Sequence, residues 1–364
     1  MNALFELYPG LRQSLPYVAL ADLPTPIEPL ARLGAAIGAP NLYVKRDDLS
    51  ASLYGGNKVR KLEFLLGRAL RDGRKCVMTF GAAGSNHALA TALYARQAGL
   101  RSISMLVPQP NARSVGRNLL LSHAAEAELH HHGGMVQVVL PSVYHYLRHG
   151  LRDGVLPMII PPGGTTPLGM AGFVAAAFEL KRQVDAGAMP APDRLYAASG
   201  TMGTVIGLLL GLVAAGLDTR VVAVRVTQPQ FTSMRKARRF FAATNRLLHR
   251  ADPSFPLLPF PEDRLEMRHE FYGEAYGQYT EAGMRAVRMA RETEDLKLEG
   301  TYTGKTFAAI LVDAAAGRLR DRTALFWNTY NSRDFSRDIT HLDYHALPRS
   351  VHRYFEESVQ PLDR

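Results

Sequence analysis

Two glycine-rich runs hold the residues best able to do chemistry. Gly55-Gly56-Asn57-Lys58-Val59-Arg60-Lys61 places a lysine where an irregular segment passes into a helix, and Ser199-Gly200-Thr201-Met202-Gly203-Thr204 offers glycines and hydroxyls to an anion. A lysine amine condenses with a carbonyl, and a phosphate needs several N–H donors, so an aldehyde that carries a phosphate needs both. Pyridoxal 5'-phosphate (PLP) is such a cofactor. Either run alone is a weak signal, because glycines end helices everywhere and most lysines on amphipathic helices are solvated.

The second run follows the apolar stretch Leu195-Tyr196-Ala197-Ala198 and precedes residues 205–215, a pattern that predicts a strand, a tight loop and a buried helix. A helix N-terminus presents unpaired N–H groups and the positive end of a dipole. Gly200 and Gly203 let the backbone approach the phosphate, while Ser199, Thr201 and Thr204 add donors without fixed charge. No Gly-Lys-Ser/Thr closes the run, so it is not a P-loop, and the acidic residue expected downstream of a dinucleotide-binding turn is missing. Residues 195–217 contain no charged side chain. Their first half is rich in Ser, Gly and Thr, whereas a spanning helix needs about 20 predominantly apolar residues, so no membrane span is expected.

These runs must be positioned by a sizeable fold, and 364 residues with 47% hydrophobic and 21% charged content can bury one, the length favouring two domains. The first ten residues lack a basic region followed by a long apolar run, so no secretory signal is expected. The single cysteine, Cys76, excludes an intrachain disulfide and fits a reducing cytoplasm; its strand-like surroundings point to packing rather than nucleophilic work. The net charge of +10 and the stretch Arg235-Lys236-Ala237-Arg238-Arg239-Phe240-Phe241 admit a function of another class, a cofactor-free nucleic-acid binder. No zinc-finger or RNP-like motif accompanies that stretch, so an amphipathic surface helix and no nucleic-acid partner are expected.

Apolar strand-like runs alternate with helical ones, as an α/β protein requires. Strands are expected over residues 41–46, 76–80, 102–107, 135–140, 195–198, 220–227 and 323–327. Helices are expected over residues 59–72, 85–99, 113–124 and 170–186, with a loop at 161–167. No internal repeat or low-complexity linker is visible.

The order of motifs resembles one family. Leu23-Pro24-Thr25-Pro26, Lys45-Arg46-Asp47-Asp48-Leu49, Gly55 to Glu63 and Gly84-Ser85-Asn86-His87 are similar to the family of 1-aminocyclopropane-1-carboxylate (ACC) deaminase and D-cysteine desulfhydrase. Gly116-Arg117-Asn118-Leu119-Leu120-Leu121, Pro162-Gly163-Gly164, the run at Ser199 to Thr204, and Thr301-Tyr302-Thr303-Gly304-Lys305 continue the match along nearly the whole chain. The resemblance implies a PLP enzyme of the tryptophan-synthase-β fold: two open, twisted, mostly parallel sheets flanked by helices, with PLP in the interdomain cleft. It puts a small domain at residues 61–174, a large PLP-binding domain at residues 1–60 and 175–364, and a homodimer in prospect.

The resemblance also implies roles. Lys58 becomes the Schiff-base lysine, although Lys61 and Lys305 are local competitors, and Ser199, Gly200, Thr201, Met202, Gly203 and Thr204 hold the phosphate. Asn86 bonds the cofactor's 3'-hydroxyl, Ser85 sits near the substrate carbon, and Ser85, Asn86, His87 and Gly163 contact substrate. Tyr302 and Tyr276 match tyrosines over the reacting carbon, where a hydroxyl with a lowered pKa could act as acid or base. Ser85 would in any case cap the helix it begins.

Several positions bear on the reaction. Thr303 stands where ACC deaminases carry a glutamate that keeps the pyridine nitrogen protonated, and His87 stands where they carry glutamine. Both resemble the desulfhydrases and imply β-elimination from a small amino acid, with release of pyruvate and ammonia. Asn328-Thr329-Tyr330-Asn331 replaces the desulfhydrases' His-Thr-Gly-Gly: Thr329 keeps a hydroxyl for the pyridine edge, and Tyr330 fills the place of a glycine beside the substrate. Ala88-Leu89-Ala90-Thr91 lacks the usual arginine and glutamine. D-Cysteine, cysteate, β-chloroalanine, serine-like and diamino acids all stay open as substrates, as do ACC ring opening and racemisation.

Overall fold

The alternating pattern folds into two parallel-rich sheets in a computed structural model that describes residues 2–364. In chain order its strands are β1 (Ile27–Pro29), β2 (Leu42–Lys45), β3 (Cys76–Ala82), β4 (Arg101–Val107), β5 (Glu128–His131), β6 (Met158–Ile160), β7 (Arg194–Ser199), β8 (Arg220–Arg225), β9 (Leu265–Arg268) and β10 (Ala324–Trp327). The helices that bear on function are α1 (Lys58–Arg71), α2 (Asn86–Gln97), α3 (Val139–Asp153), α4 (Pro167–Asp185), α5 (Gly203–Ala214), α6 (Met234–Ala251) and α7 (Thr303–Ala315). The chain forms two compact units.

The first unit comprises the described residues up to Leu15, Ala21–Lys61 and Thr165–Arg333. Its sheet runs β1-β2-β10-β7-β8-β9, antiparallel only where β1 meets β2. Parallel strands are covered on both faces and so read as continuous apolar runs, as in Val221-Val222-Ala223-Val224, all fully buried. Helices α4 and α5 approach closely because Gly207 and Gly211 face Phe173 and Ala177; a Cβ at either glycine would lie 2.6 Å from those side chains. A buried ionic knot joins β2, α1 and α4. Arg60 binds Asp47 at 2.7 Å and Glu179 at 2.9 Å, Lys45 binds Glu179 at 2.6 Å, and the Trp327 indole donates to Asp47 at 2.7 Å. The knot fixes the first turn of α1 and with it the backbone of Lys58, since removing one member would strand its buried partners at a cost of about 3–5 kcal/mol. The basic stretch at 235–241 lies on α6, which buries Ala237, Phe241, Thr244, Asn245 and Leu248 on one face, the pattern of an amphipathic surface helix.

The second unit comprises Pro16–Leu20, Leu62–Gly164 and Asp334–Arg364. Its sheet runs β5-β4-β3-β6 and is parallel throughout. The expected assignment of residues 334–364 to the large domain differs from this division. The chain end is tied here instead: the Asp363 carboxylate accepts the Arg113 N–H at 2.6 Å, and the Gln360 N–H donates to the Asn111 carbonyl at 3.0 Å. The expected strand at 135–140 is also corrected. The strand is Glu128–His131, hidden by its polar sequence, whereas Met135, Val136 and Leu140 are exposed and Val139 already begins α3. Cys76 is buried on β3, and burial pushes its thiol up to about 12, which leaves it inert.

No helix among the described residues is long and apolar enough to cross a membrane.

Candidate active site

In the first unit, the turn at Gly55-Gly56 delivers the chain to Lys58. Gly56 has φ +93°, and a Cβ there would sit 2.8 Å from the Thr329 and Tyr330 carbonyl oxygens, so only glycine fits. Ser50 seals the turn by donating its hydroxyl to the Gly56 carbonyl at 2.9 Å, and the Asn57 N–H donates to the Thr329 carbonyl at 3.2 Å. The Lys58 amine donates to the Asn57 side-chain oxygen at 2.8 Å. Burial pushes this ammonium down to about 8, against a weaker upward pull from the Glu299 carboxylate. About a tenth of the amine is therefore neutral at pH 7 and about half at pH 8.

The second glycine-rich run lies beside it, because the Asn57 amide donates to the Thr204 hydroxyl at 2.9 Å. Ser199 ends β7, Met202 takes φ +70°, and Gly203 opens α5, so the first N–H groups of that helix lack intrahelical partners. The Ser199 hydroxyl is fully buried and has no hydrogen-bond partner, which leaves a polar atom waiting for a ligand. The Thr201 and Thr165 hydroxyls are 2.6 Å apart. A Cβ on Gly203 would come within 2.7 Å of both Lys61 Nζ and Thr165 Oγ1. These features fit a phosphate: a helix N-terminus, an orphaned hydroxyl, a flanking pair of threonines and a glycine that keeps the cradle open. Of the competing lysines, Lys305 is committed to the Tyr272 carbonyl at 2.6 Å, and Lys61 lies against the phosphate run with its ammonium well below the ordinary range through burial and then Lys58.

Tyr302 and Tyr276 hydroxyls hydrogen-bond to each other, and Lys58 Nζ lies 6.0 Å from the centre of the Tyr302 ring. Burial, followed by the influence of Tyr276, pushes the Tyr302 phenol well above its usual range; burial raises Tyr276 too. Without a cofactor beside it, the pair is held protonated and fitted to donate protons. Glu299, which the sequence reading missed, organises the group. Its carboxylate accepts the N–H groups of Thr301 at 2.8 Å, Tyr302 at 2.7 Å and Thr303 at 2.9 Å, and so caps α7. The only sequence signal was an acid at the head of an apolar helical run. Thr303 is buried, and its hydroxyl accepts the Glu299 N–H at 2.9 Å. Thr329 and Tyr330 are buried at the end of β10, where the Tyr330 N–H donates to the Asn328 side chain at 3.3 Å.

In the second unit, Ser85 caps α2, its hydroxyl accepting the Ala88 N–H at 3.2 Å. Asn86 follows it and accepts from the Asn118 amide at 2.9 Å, and Asn118 also donates to the Gly84 carbonyl at 2.9 Å. His87 is buried one residue on. Gly163, φ +68°, lies in the turn after β6. Ser85, Asn86 and His87 thus share one helix start.

The chain is similar to known proteins. The family described as pyridoxal-phosphate dependent enzyme matches residues 18–329. A nocardicin C-9' epimerase of Nocardia uniformis is 34% identical over 88% of this chain and 94% of its own length. A D-cysteine desulfhydrase of Serratia proteamaculans is 31% identical over 86% of this chain and 93% of its own. The crystal structure of an ACC deaminase homologue superposes with a TM-score of 0.75 at 29% identity, covering 95% of this chain and 98% of that one.

Proposed function

Because the chain belongs to the pyridoxal-phosphate dependent enzymes of fold type II, with PLP as its cofactor, we propose that it is a lyase performing β-elimination on a small amino acid, as a D-cysteine desulfhydrase does. The observation that carries the proposal is the Lys58 amine, brought to about 8 beside an open phosphate cradle and a neutral tyrosine pair. Bound PLP supplies an aldehyde for the substrate amine and a ring that draws electrons from the α-carbon. Ser199, the N–H groups opening α5, Thr201 and Thr204 hold the phosphate. Lys58, its amine easily deprotonated and oriented by Asn57, takes the α-proton. Tyr302, kept protonated by burial and by Tyr276, delivers a proton to the departing β-substituent. Water then completes the release of pyruvate and ammonia. A neutral Thr303 in place of an acid favours loss of a good leaving group over opening a cyclopropane. Ser85, His87, Gly163 and Tyr330 are assigned to the substrate, and Asn86, Thr303 and Thr329 to the cofactor ring.

The test is a keto-acid screen of PLP-loaded protein with both enantiomers of cysteine, cysteate, β-chloroalanine, serine and 2,3-diaminopropionate, and with ACC. The expected result is pyruvate from a substrate with a β-leaving group, and none with Lys58→Ala. A second reading, inversion at the α-carbon, is favoured by the 34% identity to an epimerase. Enantiomer interconversion without keto acid would replace the lyase by that reading, and ring opening of ACC would replace both.

A homodimer working in the cytoplasm completes the proposal. Leu140, Val143, Tyr144, Leu147 and Leu151 form an exposed apolar stripe along α3 that a second copy could cover. Sedimentation equilibrium of the wild type against Leu147→Asp tests the stripe.

A further inference from the structure

Far from the catalytic residues in sequence, β5 and α3 bring together a second group of reactive side chains. Glu128 and His130 alternate on β5 and therefore share a face, while His145 and His149 are one helical turn apart on α3. The four converge. His130 Nε2 lies 2.8 Å and His145 Nδ1 3.2 Å from the same Glu128 oxygen, Oε1, and His149 Nε2 lies 2.8 Å from the other, Oε2. The ligating atoms of Glu128, His130 and His145 all fall within 4.8 Å of one another.

Hydrogen bonding alone does not account for this arrangement. His145 Nδ1 is shut off from solvent and makes no aligned hydrogen bond despite its short distance to the carboxylate. The His130 and His145 rings are held with centroids 3.7 Å apart and planes 33° off parallel, both aimed at one oxygen. Two imidazole nitrogens and a carboxylate oxygen gathered this closely are the donor set of a borderline divalent cation. In a tetrahedral zinc site, bonds of roughly 2.0–2.1 Å put donor atoms about 3.3 Å apart; the two imidazole nitrogens here lie 2.8 and 3.2 Å from the carboxylate oxygen, and all three donors fall within 4.8 Å of one another.

His149 has a different role. The Arg101 guanidinium donates to its Nδ1 at 3.2 Å, which leaves the proton on Nε2, 2.8 Å from Glu128 Oε2 though not aligned as a hydrogen bond. That polarity suits a group that orients a ligating carboxylate rather than a ligand. Arg101 is itself paired with Asp153, and Arg148, 3.5 Å from Oε1, is half exposed and free to swing out.

We propose that Glu128, His130 and His145 form a site for a divalent transition-metal ion of the zinc, cobalt or nickel class, with His149 positioning Glu128. The ion would pin the edge strand β5 to α3 and leave one position for water.

The test is a titration of metal-stripped, PLP-loaded protein with Co²⁺, read by visible ligand-field bands, and with Zn²⁺ against a fluorescent chelator. One ion per chain is expected, with four-coordinate cobalt bands. His130→Ala and His145→Ala should each weaken binding at least 100-fold, and His149→Gln about 10-fold to 100-fold. Glu128→Gln, which keeps the shape, should also remove the cobalt bands and serves if an alanine variant fails to fold. Binding of less than one ion per chain at micromolar metal would overturn the proposal, as would one-ion binding that persists in His130→Ala or Glu128→Gln. The readout is metal stoichiometry, so it stands apart from the lyase assignment.

Discussion

Replacing Glu299 by glutamine removes one charge at the centre of the proposed machinery and keeps its shape. In the wild type, Oε1 accepts the Tyr302 and Thr303 N–H groups at 2.7 and 2.9 Å, and Oε2 accepts that of Thr301 at 2.8 Å. A glutamine amide has one oxygen. Placed at Oε1 it keeps two bonds and turns its NH2 toward the Thr301 N–H, so one charge-assisted bond worth about 1.5–3 kcal/mol is lost. The favourable interaction of a carboxylate with the α7 N-terminus, about 0.3–1 kcal/mol, goes with it. Urea unfolding of cofactor-free protein should therefore show Glu299→Gln destabilised by about 2–4 kcal/mol. The same charge holds the Lys58 ammonium up against burial, so its loss should move the Lys58 midpoint below about 8. The pH dependence of PLP capture reads that midpoint. A variant within about 0.5 kcal/mol of wild type, or a midpoint that stays or rises, would refute the placement of Glu299 as cap and charge.

Two further outcomes follow from the same geometry. The folded chain disfavours the Lys58 ammonium, with a value of about 8 against an ordinary 10.5, so between those pH values the unfolded state binds more protons and stability rises with pH. Lys58→Met should remove up to about 3 kcal/mol of that rise in cofactor-free protein, measured by denaturant unfolding at pH 7.5 and 10; equal slopes in the two proteins would contradict the buried amine. Gly203→Ala puts a Cβ within 2.7 Å of Lys61 Nζ and Thr165 Oγ1, both ends of side chains that can move, so the fold should survive while the cradle fills. PLP titration should show affinity reduced at least tenfold, about 1.4 kcal/mol, and unchanged affinity would argue against the cradle.

Much of the fold was legible because parallel strands and their crossover helices keep strong periodicity. The run 220–227 and the glycine-hydroxyl run after 195–198 fell where β8, β7 and the start of α5 stand. The failures have physical causes. Glu128–His131 forms a strand from a sequence dominated by charge and imidazole, because its ladder with β4 and its partners on α3 outweigh weak strand propensity. Met135 to Leu140 misled because Met135, Val136, Val139 and Leu140 face solvent, while Val138 alone of its apolar residues packs into the core. At the site, Lys58 and the run 199–204 were legible as backbone punctuation, and the structure joins them through Asn57 and Thr204. Glu299 was not, since its work is done on backbone N–H groups that no side-chain pattern announces. The upward shift of the Tyr302 phenol was equally hidden, because it depends on burial by residues remote in sequence.

Borohydride reduction of the PLP-loaded protein, followed by peptide mass spectrometry, tests the central claim most directly. The account predicts a violet-absorbing band that reduction abolishes and a pyridoxyl adduct on Lys58, absent from Lys58→Ala. An adduct on Lys61 or Lys305 with Lys58 unmodified, or a protein that takes up no PLP, would contradict it.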